Sequence, residues 1–201
     1  MITGIMGQKI GMTQFFNNRG KCLPGTLIKI LNSTVIEIKN KNTHGYNSIL
    51  IKNNFEDNSS NNSKRKILYK EFRIKNTNKF CLKEFLNLNL FNTGEKIYIK
   101  AKTTGKGNCG NIKKNHFKRG PMTHGSKHHR LQGSLGAGTT PSRVFPGKKM
   151  AGRLGNRFQT LKNLEILKID STNNLILVKG SVPGKFGNFL TLIKKDETFN
   201  L

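Results

Sequence analysis

Between Glu95 and Glu165 the chain contains no Asp or Glu. That interval holds sixteen of the 36 Lys and Arg, eleven of the 21 Gly and four of the five His. Across its central stretch, Gly105 to Arg157, apolar residues are scattered, at Phe117, Met122, Leu131, Leu135, Val144, Phe145, Met150 and Leu154. They follow neither the period of a helix nor that of a strand. Such a stretch cannot bury enough apolar surface to offset the entropy of ordering it. Its positive charges also have no internal partners of opposite sign. A polyanion must therefore hold it, or it stays mobile; the best candidate is a folded nucleic acid with a dense phosphate surface.

The rest of the chain sets the frame for that interval. With 201 residues it suits one domain, or one domain with an extension. A formal net charge of +26 and a pI of about 10.4 argue for a nucleic-acid partner over an acidic protein. A membrane surface is the other polyanion to consider. It ranks low, because there is no basic amphipathic helix and no apolar run of spanning length. Three widely spaced cysteines, Cys22, Cys81 and Cys109, fit free thiols in a reducing compartment. The opening MITGIMGQKIGMTQFF lacks the apolar core of a secretory leader and the Arg/Ser-rich pattern of a transit peptide.

Taken in order, residues 1 to about 52 read as short strands. A turn is expected at Asn17-Asn18-Arg19-Gly20, then strands over Thr26–Leu31, Val35–Ile38 and Tyr46–Lys52, with a turn at Asn32-Ser33. Residues 53–66, NNFEDNSSNNSKRK, read as a mobile surface loop. Leu68–Ile74 reads as a strand, and Phe80–Phe91 as a short helix or a strand pair. Ile97 and Ile99 alternate with polar neighbours, as in a half-buried strand. Order resumes near Phe158, with strands over Leu164–Ile169, Leu175–Val178 and Phe189–Ile193. The expectation is a mainly β protein. Residues 1–104 and 158–201 would form a small β-barrel domain, and residues 105–157 a long, largely irregular basic extension inserted between strands.

Four patterns inside the extension invite specific chemistry. Gly105-Lys-Gly107-Asn-Cys-Gly110 matches a dinucleotide-binding loop, but the acid such a site needs about 20 residues on is missing. A flexible turn that lets backbone approach phosphate is the better reading. His124, His128 and His129, with His116 and Cys109, suggest a metal site; yet Gly125 follows His124, no Glu supplies a base and no C-x-x-C exists. Ser126, Ser134 and Ser142 lie near histidines without a neighbouring acid to orient a base. A solvated face normally mixes signs of charge, and this one does not. The residues assigned to RNA contact are Lys106, Lys113, Lys114, Lys118, Arg119, His124, Lys127, His128, His129, Arg130, Arg143, Lys148, Lys149, Arg153 and Arg157. No catalytic residue, metal or cofactor is assigned. A metal-dependent RNA-processing enzyme using His124, His128 and His129 is the alternative.

GQKIGMTQFF at Gly7–Phe16, the run from Gly110 to Asp170, and NLILVKGSVPG at Asn174–Gly184 closely resemble the L-three family of large-subunit ribosomal proteins, of bacterial and plastid type. The resemblance implies a β-barrel domain resting on large-subunit ribosomal RNA and a part in early subunit assembly. It implies an extension whose tip, Gly136-Ala137-Gly138-Thr139-Thr140-Pro141, approaches the peptidyl-transferase centre. The neighbours it implies are the large-subunit proteins numbered fourteen and nineteen, with no homo-oligomer. Many bacterial relatives carry a methylated Gln where this chain has Thr139, so that modification is expected to be absent. Asn108 stands where an aromatic is usual. The tip form GAGTTP resembles the cyanobacterial and plastid branch, and the heavy use of Asn, Lys and Ile suits AT-rich coding. The expected setting is the ribosome of a plastid, with an organelle-encoded chain, ahead of an AT-rich bacterium.

Overall fold

In the computed structural model, residues 4–57, 64–74, 80–86 and 88–194 are described. The chain divides into two compact units, Met1–Thr103 with Phe158–Leu201, and Thr104–Arg157. The regular structure of the first is, among the described residues, almost all strand, which gives the mainly β class that the alternating sequence calls for.

Six antiparallel strands of this unit close on themselves. They are β1 (Gly4–Phe16), β2 (Cys22–Ile30), β7 (Lys96–Lys102), β10 (Phe158–Asp170), β11 (Leu175–Lys179) and β12 (Phe189–Lys194). They form a closed barrel in the order β1-β12-β7-β10-β11-β2. Closure leaves no free edge on this sheet. Alternation along each strand turns Ile5, Ile28, Ile97, Ile99, Ile166, Ile176, Leu190 and Leu192 inwards, and all are fully buried. The barrel is tight where β1 crosses its neighbours. A Cβ on Gly7 would stand 2.7 Å from Ile28 Cγ2 and 3.1 Å from the Lys29 carbonyl, so only glycine allows that approach. Register shifts at Lys9/Gly11, Leu161/Leu164 and Ile166/Lys168 bend β1 and β10 around the closed sheet.

A second sheet has the order β5-β4-β3-β6, built from β3 (Asn32–Lys39), β4 (Ser48–Asp57), β5 (Lys64–Arg73) and β6 (Phe85–Leu86). Its inner face joins the barrel's hydrophobic core through Val35, Ile49, Ile51, Phe72 and Leu86. So the strands before residue 53 divide between a barrel and a sheet, where the sequence suggested one barrel. Two further expectations need correction. Asn32-Ser33 is not a turn but the start of β3, and residues 53–57 and 64–66 are strand, not loop. One polar cluster explains both. Asn53 is fully buried; it accepts from Ser33 Oγ at 2.6 Å and donates to the Leu68 carbonyl at 3.1 Å. Buried amides that find partners in this way strengthen a sheet rather than interrupt it. The centre of the expected loop, residues 58–63, lies outside the described residues. Phe80–Phe91 is neither a full helix nor a strand pair: β6 is followed by a 3-10 turn, Leu88–Leu90, which buries Leu88. A short helix α1 (Lys41–His44) connects β3 to β4 and ends on Gly45 in the left-handed region.

Candidate nucleic-acid interface

The unit Thr104–Arg157 begins and ends in a backbone clamp. Lys106 N–H donates to the Leu154 carbonyl at 2.9 Å, and Leu154 N–H donates to the Gly107 carbonyl at 3.0 Å. Beyond them two short strands pair, β8 (Asn108–Cys109) with β9 (Gly152–Arg153). Gly155, at φ +74°, closes the clamp. A Cβ there would collide with the Thr104 carbonyl oxygen.

From the clamp the chain enters a single helical turn, α2 (Asn111–Asn115), which stops at His116 in the left-handed region, φ 59°. This turn anchors the returning chain through amides. Asn111 Nδ2 donates to the Lys149 carbonyl at 3.3 Å, and Asn115 Nδ2 to the Met150 carbonyl at 3.2 Å. Asn115 also donates to Asn111 Oδ1 at 2.7 Å, which fixes the pair. Gln132 Nε2 adds a bond of 2.8 Å to the same Lys149 carbonyl. A second closure lies further out. Gly120 N–H donates to the His129 carbonyl at 3.1 Å, and a Cβ on Gly120 would collide with the His128 carbonyl. His129 Nδ1 lies 2.9 Å from the Pro121 carbonyl, which can only accept, so that nitrogen carries the proton. Sequence reading singled out none of Asn111, Asn115 and Gln132. Polar amides without a period carry no signal until the chain that they meet is known.

Only Cys109 and Asn111 are buried in this unit. Every residue assigned to RNA contact is exposed except Lys114 and His129, which are half-buried. The absence of Asp and Glu from the interval makes an ion pair within the unit impossible. Lys113, Lys118, Arg119, Lys148, Lys149 and Arg153 are thus exposed on a unit that holds no carboxylate. Arg143 places its guanidinium 5.5 Å from the centre of the Phe145 ring, a cation over an exposed aromatic face. The tip Gly136–Thr140 is exposed throughout, with Pro141 half-buried, and Ser134 Oγ donates to the Gly136 carbonyl at 3.0 Å. At Gly136 and Gly138 a Cβ would meet nothing within 4 Å, and neither takes a positive φ. Nothing inside the chain requires glycine at these two positions.

The alternative of a metal-dependent enzyme needs its histidines to converge. Among the described residues no three His, Cys, Asp or Glu side chains gather where an ion could sit, and the ring of His129 is committed to Pro121. All three cysteines are free thiols, Cys22 and Cys81 exposed and Cys109 buried.

A closed antiparallel β unit joined to an acid-free basic unit whose cationic side chains mostly face solvent has the charge pattern of the nucleic-acid-binding class. Comparison with known proteins narrows the class. The model of the family described as Ribosomal protein L3 matches residues 70–175. A large ribosomal subunit protein uL3c of Phaeodactylum tricornutum is 42% identical over 204 residues, covering 96% of this chain and 99% of the relative. That of Porphyra purpurea is 42% identical, covering 96% of this chain and all of the relative. A large ribosomal subunit protein uL3 of Prochlorococcus marinus is also 42% identical, covering 96% of this chain and 93% of the relative. The chain belongs to the ribosomal protein L3 family, in which the relatives it matches are of plastid and cyanobacterial type.

Proposed function

We propose that this protein is a structural constituent of the large subunit of a plastid ribosome. In this role it binds large-subunit ribosomal RNA through the unit Thr104–Arg157 and promotes early subunit assembly. The acid-free, solvent-facing surface of that unit carries the proposal. Sixteen Lys, Arg and His side chains there, from Lys106 to Arg157, have no carboxylate of their own unit to meet, and phosphate is the complementary group. Large-subunit proteins fourteen and nineteen are its protein neighbours. It acts by position and has no reaction of its own.

The tip Gly136–Pro141 reaches towards the peptidyl-transferase centre. Phosphate contacts position a protein, whereas a small uncharged tip fits where a bulkier one would collide with packed RNA. The two parts separate in experiment. Lys148→Ala with Lys149→Ala is expected to weaken incorporation into the subunit and to reduce the slope of log K against log salt by about 2. Gly138→Trp is expected to leave RNA binding by the isolated chain unchanged and to slow peptide transfer in assembled ribosomes. Both variants are measured for incorporation and for peptide-bond formation. Normal peptide transfer by Gly138→Trp ribosomes, together with blocked assembly, would make the tip an assembly anchor instead.

A further inference from the structure

The barrel carries exposed aromatic rings of its own at one rim. Strand β7 ends at Lys102, Phe158 opens β10 directly opposite it, and Asn188, just before β12, donates to the Lys102 carbonyl at 3.0 Å. This rim therefore holds the start of β10, the end of β7 and the connection from β11 to β12. Phe158 is 68% exposed, and Phe186 at 75% is the most exposed large apolar side chain among the described residues.

The loop that presents Phe186 is pinned from both sides. The Lys9 ammonium donates to the carbonyls of Val182 at 2.6 Å and Gly184 at 3.0 Å. Gln8 Nε2 donates to the Gly187 carbonyl at 3.3 Å, and Gly187 N–H donates to the Lys9 carbonyl at 2.9 Å. Gly184 and Gly187 take φ values of +97° and +75°, which side-chain-bearing residues rarely adopt. A turn held this firmly would normally tuck an apolar ring away, yet here the ring stands in water. The charges around it have one sign. Lys100, Lys102 and Lys185 are exposed, and residues 171–194 and 158–164 contain no acid. Glu165, further along β10, is already paired with Lys179 at 3.2 Å. Lys100 Nζ lies 5.6 Å from the centre of the Phe158 ring, so one face of that ring is already taken by a cation and the other is free for a flat partner. The second sheet offers a contrast: its exposed Tyr69 shares β5 with Glu71, which is paired to Lys39. Mixed charge of that kind suits a protein surface; rings among unopposed lysines suit bases and phosphates.

We propose that this rim is a second RNA contact, in which unpaired bases stack on Phe158 and Phe186 while Lys100, Lys102 and Lys185 meet the flanking phosphates. The inference rests on the reading of the chain as an RNA-binding protein. It adds a base-stacking site outside the basic unit.

The test uses the full chain, a labelled single-stranded oligoadenylate and a fully paired RNA duplex of the same length. Phe158→Leu and Phe186→Leu remove the flat ring but keep apolar bulk, and both positions are too exposed to threaten folding. Each is expected to bind oligoadenylate about tenfold more weakly, with duplex binding and the salt slope unchanged. Lys185→Ala should instead lower the salt slope by about 0.7. Unchanged oligoadenylate binding by the double Phe variant, with weakened binding by Lys148→Ala and Lys149→Ala, would leave the RNA reading intact and overturn the rim. Failure of the unsubstituted chain to bind either RNA would overturn the RNA reading and the rim together. As a second readout, a photoreactive phenylalanine analogue at position 186 should cross-link to RNA in assembled subunits. A cross-link to protein would overturn the proposal in favour of a protein contact.

Discussion

The β unit and the basic unit solve opposite problems with the same alphabet. The β unit buries eight isoleucine and leucine side chains completely in its barrel and closes its sheet, so its order is internal. The basic unit buries Cys109 and Asn111 and is held by main-chain carbonyls that Asn111, Asn115 and Gln132 seek out. Acidic residues follow the same division. Glu71 and Glu95 pair with Lys39 and Lys194 in the β unit, while the basic unit has none to pair. Hydrophobic burial outweighs conformational entropy in the first case. In the second it does not, and amide-to-carbonyl bonds carry the order instead; on the proposed function, a partner's phosphates would supply the difference. Substitutions should therefore change folding in one unit and recognition in the other.

The largest effect is expected in the barrel core. Ile99 is fully buried in β7, and Ile99→Ala should cost about 3 kcal/mol through lost transfer energy and the cavity left behind. Phe145, 57% exposed in the basic unit, should tolerate Ala within about 0.5 kcal/mol. Urea unfolding of the isolated protein, followed by far-ultraviolet circular dichroism, measures both. Equal losses would erase the distinction drawn between the units.

Next in size is the anchoring of the basic unit. Asn111→Ala removes a nearly buried amide that donates to the Lys149 carbonyl and accepts from Asn115. It should cost about 1 to 2 kcal/mol locally, with the barrel unaffected. Amide exchange resolved along the sequence should speed up around α2 and β8, while exchange in β7 and β12 stays as it was. Loss of protection in the barrel strands would show the two units to be one cooperative block.

How much of this was readable beforehand follows the same division. Barrel strands with a period of two announced themselves: Ile97 and Ile99 between lysines lie in β7, and Leu175–Val178 lies in β11. The split into two sheets was not legible, because a strand's partner depends on contacts far along the chain. Asn53 misled most, since a buried amide with good partners reads as loop in sequence. In the basic unit, composition alone carried the reading of a polyanion partner. Its internal geometry depends on amide-to-carbonyl bonds such as Gln132 to Lys149, which leave no pattern in the sequence. Phe158 and Phe186 carry no signal in the sequence, because a single exposed ring is ordinary until the fold shows two of them on one rim.

A smaller effect concerns acid. The Glu71 carboxyl is held below its ordinary value, first by the Ser48 hydroxyl, then by Tyr46 and by Lys39. A carboxylate whose pKa is lowered on folding contributes stability above its unfolded value of about 4.5, and loses it as pH falls towards the folded value. The group is about one third exposed, so solvent screening keeps the contribution to about 0.5 kcal/mol. Glu71→Gln should thus lower stability slightly at pH 7 and become indistinguishable from the unsubstituted chain well below pH 4. Stability curves at the two pH values check this, and a deficit that persists in acid would assign the effect to packing instead of charge.

The smallest expected effect, that of Gly138→Ala, is read against a glycine that the chain itself needs. Gly133 takes φ +78°, so Gly133→Ala strains the backbone there and should cost about 1 kcal/mol of local order. Gly138 has no such φ, and its added Cβ would meet nothing within 4 Å. Gly138→Ala should therefore leave the isolated protein unchanged within about 0.5 kcal/mol, and should leave its RNA affinity unchanged because no charge is touched. Amide exchange near each position and titration with ribosomal RNA measure the pair. If Gly138→Ala disturbed the isolated chain as much as Gly133→Ala, the glycine would be serving the chain's own backbone. If it does not, the small side chain at the tip answers to something outside the protein, which is what a tip packed into RNA would require.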